Sequence, residues 1–141
     1  MDPLDAFVDQ LQEEIFDEAR QAYGEKGFSR WRNPRYNGRM DNPDAHARVT
    51  GKCGDTMEIY LAFYNNIVIN ASYVTDGCAS SAICGSFAAE IAMGKDPDRL
   101  ADISGEDVLK AIGRLPKEDM HCAFLAAETL QKALEDYMTG T

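Results

Sequence analysis

Apolar residues recur at helical spacing at the start of the chain and at alternating spacing in its middle. A first helix is predicted over residues 1–24, with Asp2 as N-cap, Pro3 at the first helical position and Gly24 as the stop. Its apolar positions form one stripe: Leu4, Phe7, Val8, Leu11, Ile15 and Ala19. Residues 25–46 are rich in Gly, Asn, Pro and Arg and have no clear period, so they are predicted to be a loop segment.

The middle of the chain has the pattern of a small antiparallel sheet. Apolar and more polar residues alternate from Met57 to Tyr64, and Asn65-Asn66 is a suitable two-residue turn because Asn tolerates positive φ. Residues 67–75 then return as the second strand of a hairpin, and residues 48–52 supply a third strand. The pattern therefore predicts a three-stranded antiparallel sheet.

The remainder of the chain is predicted to be helical. The expected elements are a small-residue helix at 79–93, a short helix after Asp96-Pro97, a helix capped by Ser104 and Asp107 that ends at Gly113, and a long C-terminal helix at about 117–138. The fold class is α+β, with helices packed on one side of the sheet. Residues 1–141 are expected to form a single domain.

Charge and composition narrow the function. The net charge of −10 makes nucleic acid and anionic membrane surfaces unlikely partners, because both carry negative charge. The chain shows neither a signal-peptide pattern nor an apolar run of the roughly 20 residues that a membrane helix needs. We therefore expect a cytoplasmic protein.

Four cysteines at dispersed positions suggest free thiols or metal ligands in a reducing compartment rather than disulfides. Cys53, Cys78 and Cys122 are predicted at the ends of elements, where sheet domains usually place their sites. Cys84 lies in the middle of a predicted apolar helix, so we expect it to be a packing residue.

Local geometry suggests how these side chains would act. Cys78 and Cys122 are near predicted helix N-termini, where the helix dipole stabilises a thiolate. Cys53 and Asp55 would point the same way if their stretch is extended. His121 and Cys122 would diverge by about 100° on a helix, which favours alternative over simultaneous ligation.

Each residue also has an ordinary structural interpretation when taken alone. A cysteine can be a small buried hydrophobe, Asp55 can form a turn and His121 can lie on a helix surface. His46, in the polar loop segment, is expected to be a solvated residue.

Three motifs that occur in order favour a functional site over these ordinary structural interpretations. Residues 53–55 (Cys-Gly-Asp), 77–81 (Gly-Cys-Ala-Ser-Ser) and 121–123 (His-Cys-Ala) resemble the signature segments of the IscU/NifU-type iron–sulfur scaffold family. Asn33-Pro34-Arg35 followed by Gly38 resembles the N-terminal segment of that family. The resemblance covers roughly residues 31–138.

The resemblance implies a scaffold and carrier, not an enzyme. It implies that a 2Fe–2S cluster is built from iron and from sulfur delivered as persulfide by a cysteine desulfurase, and is then passed to apo iron–sulfur acceptor proteins. The implied ligands are Cys53, Cys78 and Cys122, completed by Asp55 or His121. Cys122 is the first candidate for the persulfide acceptor.

Some alternatives stay open at this stage. Zinc can occupy the same kind of site, so a zinc-bound sulfurtransferase or persulfide carrier of the same family is the main rival, and a domain with merely packed cysteines is a second. A homodimer around the cluster is also possible. Residues 115–119 depart from the Leu-Pro-Pro-Val-Lys segment of bacterial housekeeping members, which weakens the expectation of an Hsp70-type chaperone as partner.

Overall fold

The computed structural model describes residues 2–140, and it has the α+β architecture expected from the sequence. Its elements in chain order are α1 (Pro3–Arg32), β1 (Ala45–Thr50), β2 (Thr56–Tyr64), β3 (Ile67–Thr75), α2 (Ala79–Ala92), α3 (Pro97–Ala101), α4 (Gly105–Ile112), a 3-10 turn (Lys117–Asp119) and α5 (His121–Thr139). The strands form one antiparallel sheet in the order β1-β2-β3.

The hairpin between β2 and β3 sets the register of the sheet. Asn65 and Asn66 have φ of 52° and 66°, as a two-residue turn requires, and Met57 pairs with Thr75 at the other end. Met57, Ile59 and Leu61 alternate along β2 and are fully buried against the helices. Helix α5 packs on β1 and β2, and α2 packs on β3, so both long helices cover the same face of the sheet.

The helix caps follow the sequence signals closely. The Asp96 carboxylate accepts a hydrogen bond from the Arg99 backbone N–H, and Ser104 and Asp107 form a complete capping box. The last helix begins at His121 rather than near residue 117, because the three residues after Pro116 form a separate 3-10 turn. This places Cys122 in the first turn of α5.

The prediction of a loop at residues 25–46 is wrong for its first part. The chain breaks at Gly24, where φ is 73° and ψ is 179°, and then continues as helix to Arg32. Phe16 packs against Phe28 with ring centroids 5.8 Å apart and against Trp31 at 6.2 Å. A straight helix would separate residues 16 and 28 by about 18 Å, so the two segments of α1 fold back on each other. This aromatic packing stabilises the second segment, which has no clear period of its own.

The predicted apolar stripe of α1 is present, but little of it is buried. Leu4 and Phe7 are 65% and 63% exposed, and Val8, Leu11 and Ile15 are about half exposed. Ala19 is the stripe residue that does reach the core. Over residues 2–140, α1 and the other helices are all too short or too polar to span a bilayer.

We expect Gly24→Ala to disturb the fold-back of α1. The φ and ψ of Gly24 lie in a region that is essentially restricted to glycine, so a Cβ there should cost about 1–3 kcal/mol of unfolding free energy. Trp31 is the one tryptophan in the sequence and touches Phe16, so its fluorescence reports the contact between the two segments. The variant should show shifted Trp31 emission and a lower midpoint of denaturation.

Gly94→Ala is the matched control, since Gly94 also has positive φ (79°) and its Cβ would meet nothing within 4 Å. It should lower stability without changing the emission of Trp31. Native emission in Gly24→Ala would show that the fold-back does not depend on glycine.

Candidate functional site

Three of the expected site residues converge at one point. The ligand atoms of Asp55, Cys78 and Cys122 all lie within 4.8 Å of one another. Asp55 directly precedes β2, Cys78 is the N-cap residue of α2 and Cys122 is in the first turn of α5. The cluster therefore forms where the beginnings of one strand and two helices meet.

Gly77 allows this close approach. A Cβ at position 77 would lie 2.5 Å from the Ser81 Oγ and 2.8 Å from an Asp55 carboxylate oxygen. Cys78 has extended backbone angles, and its side chain makes no capping hydrogen bond, so the thiol is not used to cap α2. The absence of a side chain at position 77 thus brings the carboxylate next to the first turn of α2.

Ser81 links two members of the cluster. Its fully buried hydroxyl lies 3.0 Å from Asp55 Oδ2 and 3.4 Å from Cys122 Sγ. The hydroxyl carries one proton, so it can donate to only one of the two at a time. The neighbouring Ser80 donates to Asp119 Oδ2 at 2.8 Å and so ties α2 to the turn before α5.

The thiol of Cys122 is buried, and this reverses the expectation for its acidity. Loss of hydration raises the pKa of Cys122 to about 11, and the charges of Cys78, Asp119 and Asp55 act in the same direction. The hydrogen bond from Ser81 lowers the pKa but does not compensate. The helix N-terminus is therefore not enough to favour the thiolate, because the side chain is only 1% exposed.

Cys53 lies apart from this cluster among the described residues. Residues 51–54 form a turn between β1 and β2, with Gly54 at φ 93° and the Gly51 N–H bonded to the Asp55 carbonyl. The stretch is a turn and not extended, so the condition under which Cys53 and Asp55 were expected to point the same way is not met. Cys53 is exposed and lines an open cavity of about 460 Å³ beside the start of α5.

His121 connects that cavity to the cluster. It lines the same cavity as Cys53, and its Nε2 lies 3.7 Å from the Sγ of Cys122. The expectation that His121 and Cys122 diverge is therefore wrong, because the long imidazole side chain turns back towards the thiol. The contact joins imidazole and thiol directly, and the expectation that the two residues are alternative ligands stays a prediction.

The other candidate residues have structural roles. Cys84 is fully buried in the core, as expected, and burial raises the pKa of its thiol. His46 lies in β1 and not in the loop segment: its side chain is 38% exposed, its Nε2 lies 3.0 Å from Glu58 Oε1 and its ring stacks on Tyr60. It occupies a strand position because β1 begins at Ala45, three residues earlier than expected.

Ser81 was not among the expected site residues, although it lies in the motif at residues 77–81. It lies three residues after Cys78 in the same helix, and residues at this spacing share a helix face. Asp119 could not have been found in the same way, since its contact with Ser80 joins residues far apart in sequence.

Comparison with known proteins identifies a matching family and several similar relatives. The family model of the NifU-like N-terminal domain matches residues 22–141. The iron–sulfur cluster assembly scaffold protein IscU 1 of Archaeoglobus fulgidus is 37% identical over 116 residues, which cover 82% of this chain and 76% of that protein. The scaffold protein IscU of Escherichia coli K12 is 31% identical, with 82% of this chain and 94% of that protein covered.

A solved structure supports the fold. The N-terminal part of a NifU-like protein from Brucella abortus superimposes with a TM-score of 0.66 and covers 86% of this chain and 98% of that one. The identity is 19%, so this match concerns the fold alone.

We expect Ser81→Ala to raise the pKa of Cys122 further, because the mutation removes the hydrogen bond that lowers it. Alkylation by iodoacetamide should be followed from pH 7 to 11.5 in a Cys53→Ser/Cys78→Ser background. The raised pKa and burial of Cys84 keep that thiol unreactive, and mass spectrometry confirms the modified position. The midpoint of the profile decides the outcome, because the absolute rate also depends on access.

Ser86→Ala provides the control. Ser86 is equally buried in α2, but it bonds to Arg30 and to the Arg35 carbonyl, away from the cluster. It should leave the Cys122 profile unchanged. An unchanged midpoint in Ser81→Ala would mean that the 3.4 Å contact has no influence on the thiol.

Proposed function

The chain belongs to the family of the NifU-like N-terminal domain, and from this premise we propose that it is a scaffold on which an iron–sulfur cluster is assembled and then transferred. The observation that carries the proposal is the convergence of Asp55, Cys78 and Cys122, whose ligand atoms lie within 4.8 Å of one another. The relatives from Archaeoglobus fulgidus and Escherichia coli, both named as cluster assembly scaffolds, give it further support.

The cargo we propose is a 2Fe–2S cluster, which takes four protein ligands. Cys78, Cys122 and Asp55 would supply three of them. Cys53 would supply the fourth by movement of its turn, which is exposed and contains Gly54 with nothing within 4 Å of the place of a Cβ. His121, 3.7 Å from the Cys122 thiol, is the alternative to Asp55 at the remaining corner.

We propose that sulfur arrives from a cysteine desulfurase as a persulfide. A scaffold thiolate attacks the terminal sulfur, the S–S bond breaks, and the donor leaves as a thiolate. The exposed Cys53 and Cys78 are better first acceptors than Cys122, which is buried and has a pKa raised to about 11. Two electrons per sulfur from an external reductant then give the sulfide of the cluster, and apo iron–sulfur proteins receive the product.

A zinc-bound sulfur carrier is the rival that uses the same residues. Thiolate, carboxylate and imidazole ligands suit zinc as well as iron, so the ligand set does not separate the two. The names of the relatives favour the scaffold. Anaerobic reconstitution with iron and sulfide separates them, because an iron–sulfur cluster absorbs visible light and a zinc site does not.

We expect Cys53→Ser, Cys78→Ser and Cys122→Ser each to abolish stable cluster binding in this reconstitution, since each removes a thiolate ligand. Visible absorption and iron and sulfide content per chain are the measurements. Cys84→Ser is the matched control, because Cys84 is buried in the core and should not be a ligand. Normal loading in Cys53→Ser would leave Asp55, Cys78, Cys122 and His121 as the ligand set.

We expect Asp55→Ala to bind the cluster, hold it longer and transfer it more slowly. A carboxylate is a harder ligand than a thiolate and makes a weaker corner for iron in a sulfide cluster. The half-life of the bound cluster under an anaerobic chelator challenge, and the transfer rate to an apo-ferredoxin, test this. Glu118→Ala removes an exposed carboxylate in the turn before α5, outside the cluster, and should change neither quantity. Faster loss from Asp55→Ala would make Asp55 a required anchor.

A further inference from the structure

The first segment of α1 presents an apolar surface that the fold does not use. Helical geometry places its five apolar anchors within an arc of about 100°. All five are at least 47% exposed: Leu4, Phe7, Val8, Leu11 and Ile15. An isolated exposed apolar residue is ordinary, but a continuous stripe along one helix face is typical of an interaction surface.

This stripe is separate from the contacts that attach α1 to the rest of the molecule. Those contacts come from later residues, with Phe16 packed on Phe28 and Trp31 and the Arg114 guanidinium bonded to the Gln21 carbonyl. The region that matches the family begins only at residue 22. The stripe therefore belongs neither to the core nor to the matched domain.

The charge around the stripe restricts what can cover it. Residues 1–19 contain no Lys, Arg or His. Their acidic residues are Asp2, Asp5, Asp9, Glu13, Glu14, Asp17 and Glu18. Asp17 is paired with Arg20 at 3.3 Å, and the first turns carry no such partner in the described ion pairs. A second copy of this helix or an anionic lipid surface would bring like charges together.

From these observations we propose that residues 4–15 of α1 form a docking helix that inserts into an apolar groove rimmed by Lys and Arg on another protein. Leu4, Phe7 and Leu11 have the i, i+3, i+7 spacing of anchors in helix-in-groove recognition. Asp5 and Glu14 flank the stripe on its two sides by helical geometry, and they would meet the basic rim, which gives orientation and speeds encounter. This proposal does not depend on the cluster site.

A cross-link followed by measurement with a purified protein tests the proposal. The full-length chain, with a benzophenone amino acid in place of Leu11, is photolysed in the cells that naturally express it, and the attached protein is identified and purified. Its affinity for the wild-type chain is then measured at several salt concentrations. Capture alone does not decide the question.

We expect Phe7→Ala/Leu11→Ala to weaken binding by tenfold or more, because the anchors lose buried apolar area. Asp5→Asn/Glu14→Gln, which removes the two acidic residues flanking the stripe, should weaken it less and flatten its dependence on salt. Gln10→Ala, on the polar face of the same helix, is the control and should bind like the wild type. Circular dichroism of each variant checks that the helix remains formed.

Other outcomes overturn the proposal. These are cross-linking to a second copy of the chain, no specific cross-link relative to a benzophenone at Gln10, or binding that ignores the anchors or the salt concentration. Binding to vesicles of phosphatidylcholine or phosphatidylglycerol that requires Phe7 and Leu11 would assign the stripe to a lipid surface instead.

Discussion

Helix α2 lies closer to the sheet than any side chain at position 85 would allow, and the site depends on that distance. A Cβ on Gly85 would approach the Tyr73 ring to 2.6 Å and the Met57 sulfur to 2.8 Å. Both partners are almost fully buried in β3 and β2, so neither has free space to move into. The axis of α2 is thus fixed against the sheet, and with it the position of Cys78 at the N-terminus of the helix.

A second glycine, Gly77, permits another close approach at the edge of the site. Gly77 leaves room for Ser81 and the Asp55 carboxylate to meet, and Ser81 then reaches the thiol of Cys122. One buried hydroxyl therefore connects the start of β2, the first turn of α2 and the first turn of α5. Gly85 in α2 and Gly77 just before it set these packing distances. Ser81 then contacts both Asp55 and Cys122.

The elements were largely predictable because their signals are local. Asp96-Pro97, the capping pair Ser104 and Asp107 and the turn at Asn65-Asn66 each act within a few residues, and the structure has all of them. The fold-back of α1 was not predictable, since it depends on rings twelve or more residues apart in sequence. The exposure of the α1 stripe was also hidden, because periodicity identifies an apolar face but not what covers it.

The sequence motifs predicted which residues belong to the site, but not how these residues are arranged in space. The motifs pointed to Asp55, Cys78 and Cys122, whereas their convergence is a long-range property of the packed elements. Cys53 lies in a turn after β1, in line with its predicted place at the end of an element, and the turn at residues 51–54 keeps it away from an extended alignment with Asp55. The direction of His121 was misjudged, because its long side chain offsets the divergence of adjacent helical residues.

The acidity of Cys122 was misjudged for a different reason: burial of the thiol outweighs the effect of the helix N-terminus. Two thiolates and a carboxylate within 4.8 Å, in a chain of net charge −10, would repel one another strongly. Burial raises the pKa of Cys122 to about 11, so at neutral pH this thiol stays protonated and the repulsion is reduced.

Metal binding at the site must reverse that arrangement. If Cys122 is a ligand, as proposed above, iron would have to displace its proton, because a thiol binds metal as the thiolate. On the ligand set proposed above, iron must also draw in Cys53 from its exposed turn. Both steps subtract from the binding free energy that a preformed, fully ionised site would provide. On that proposal the scaffold would hold its cargo less tightly, which suits a molecule that releases the cluster assembled on it.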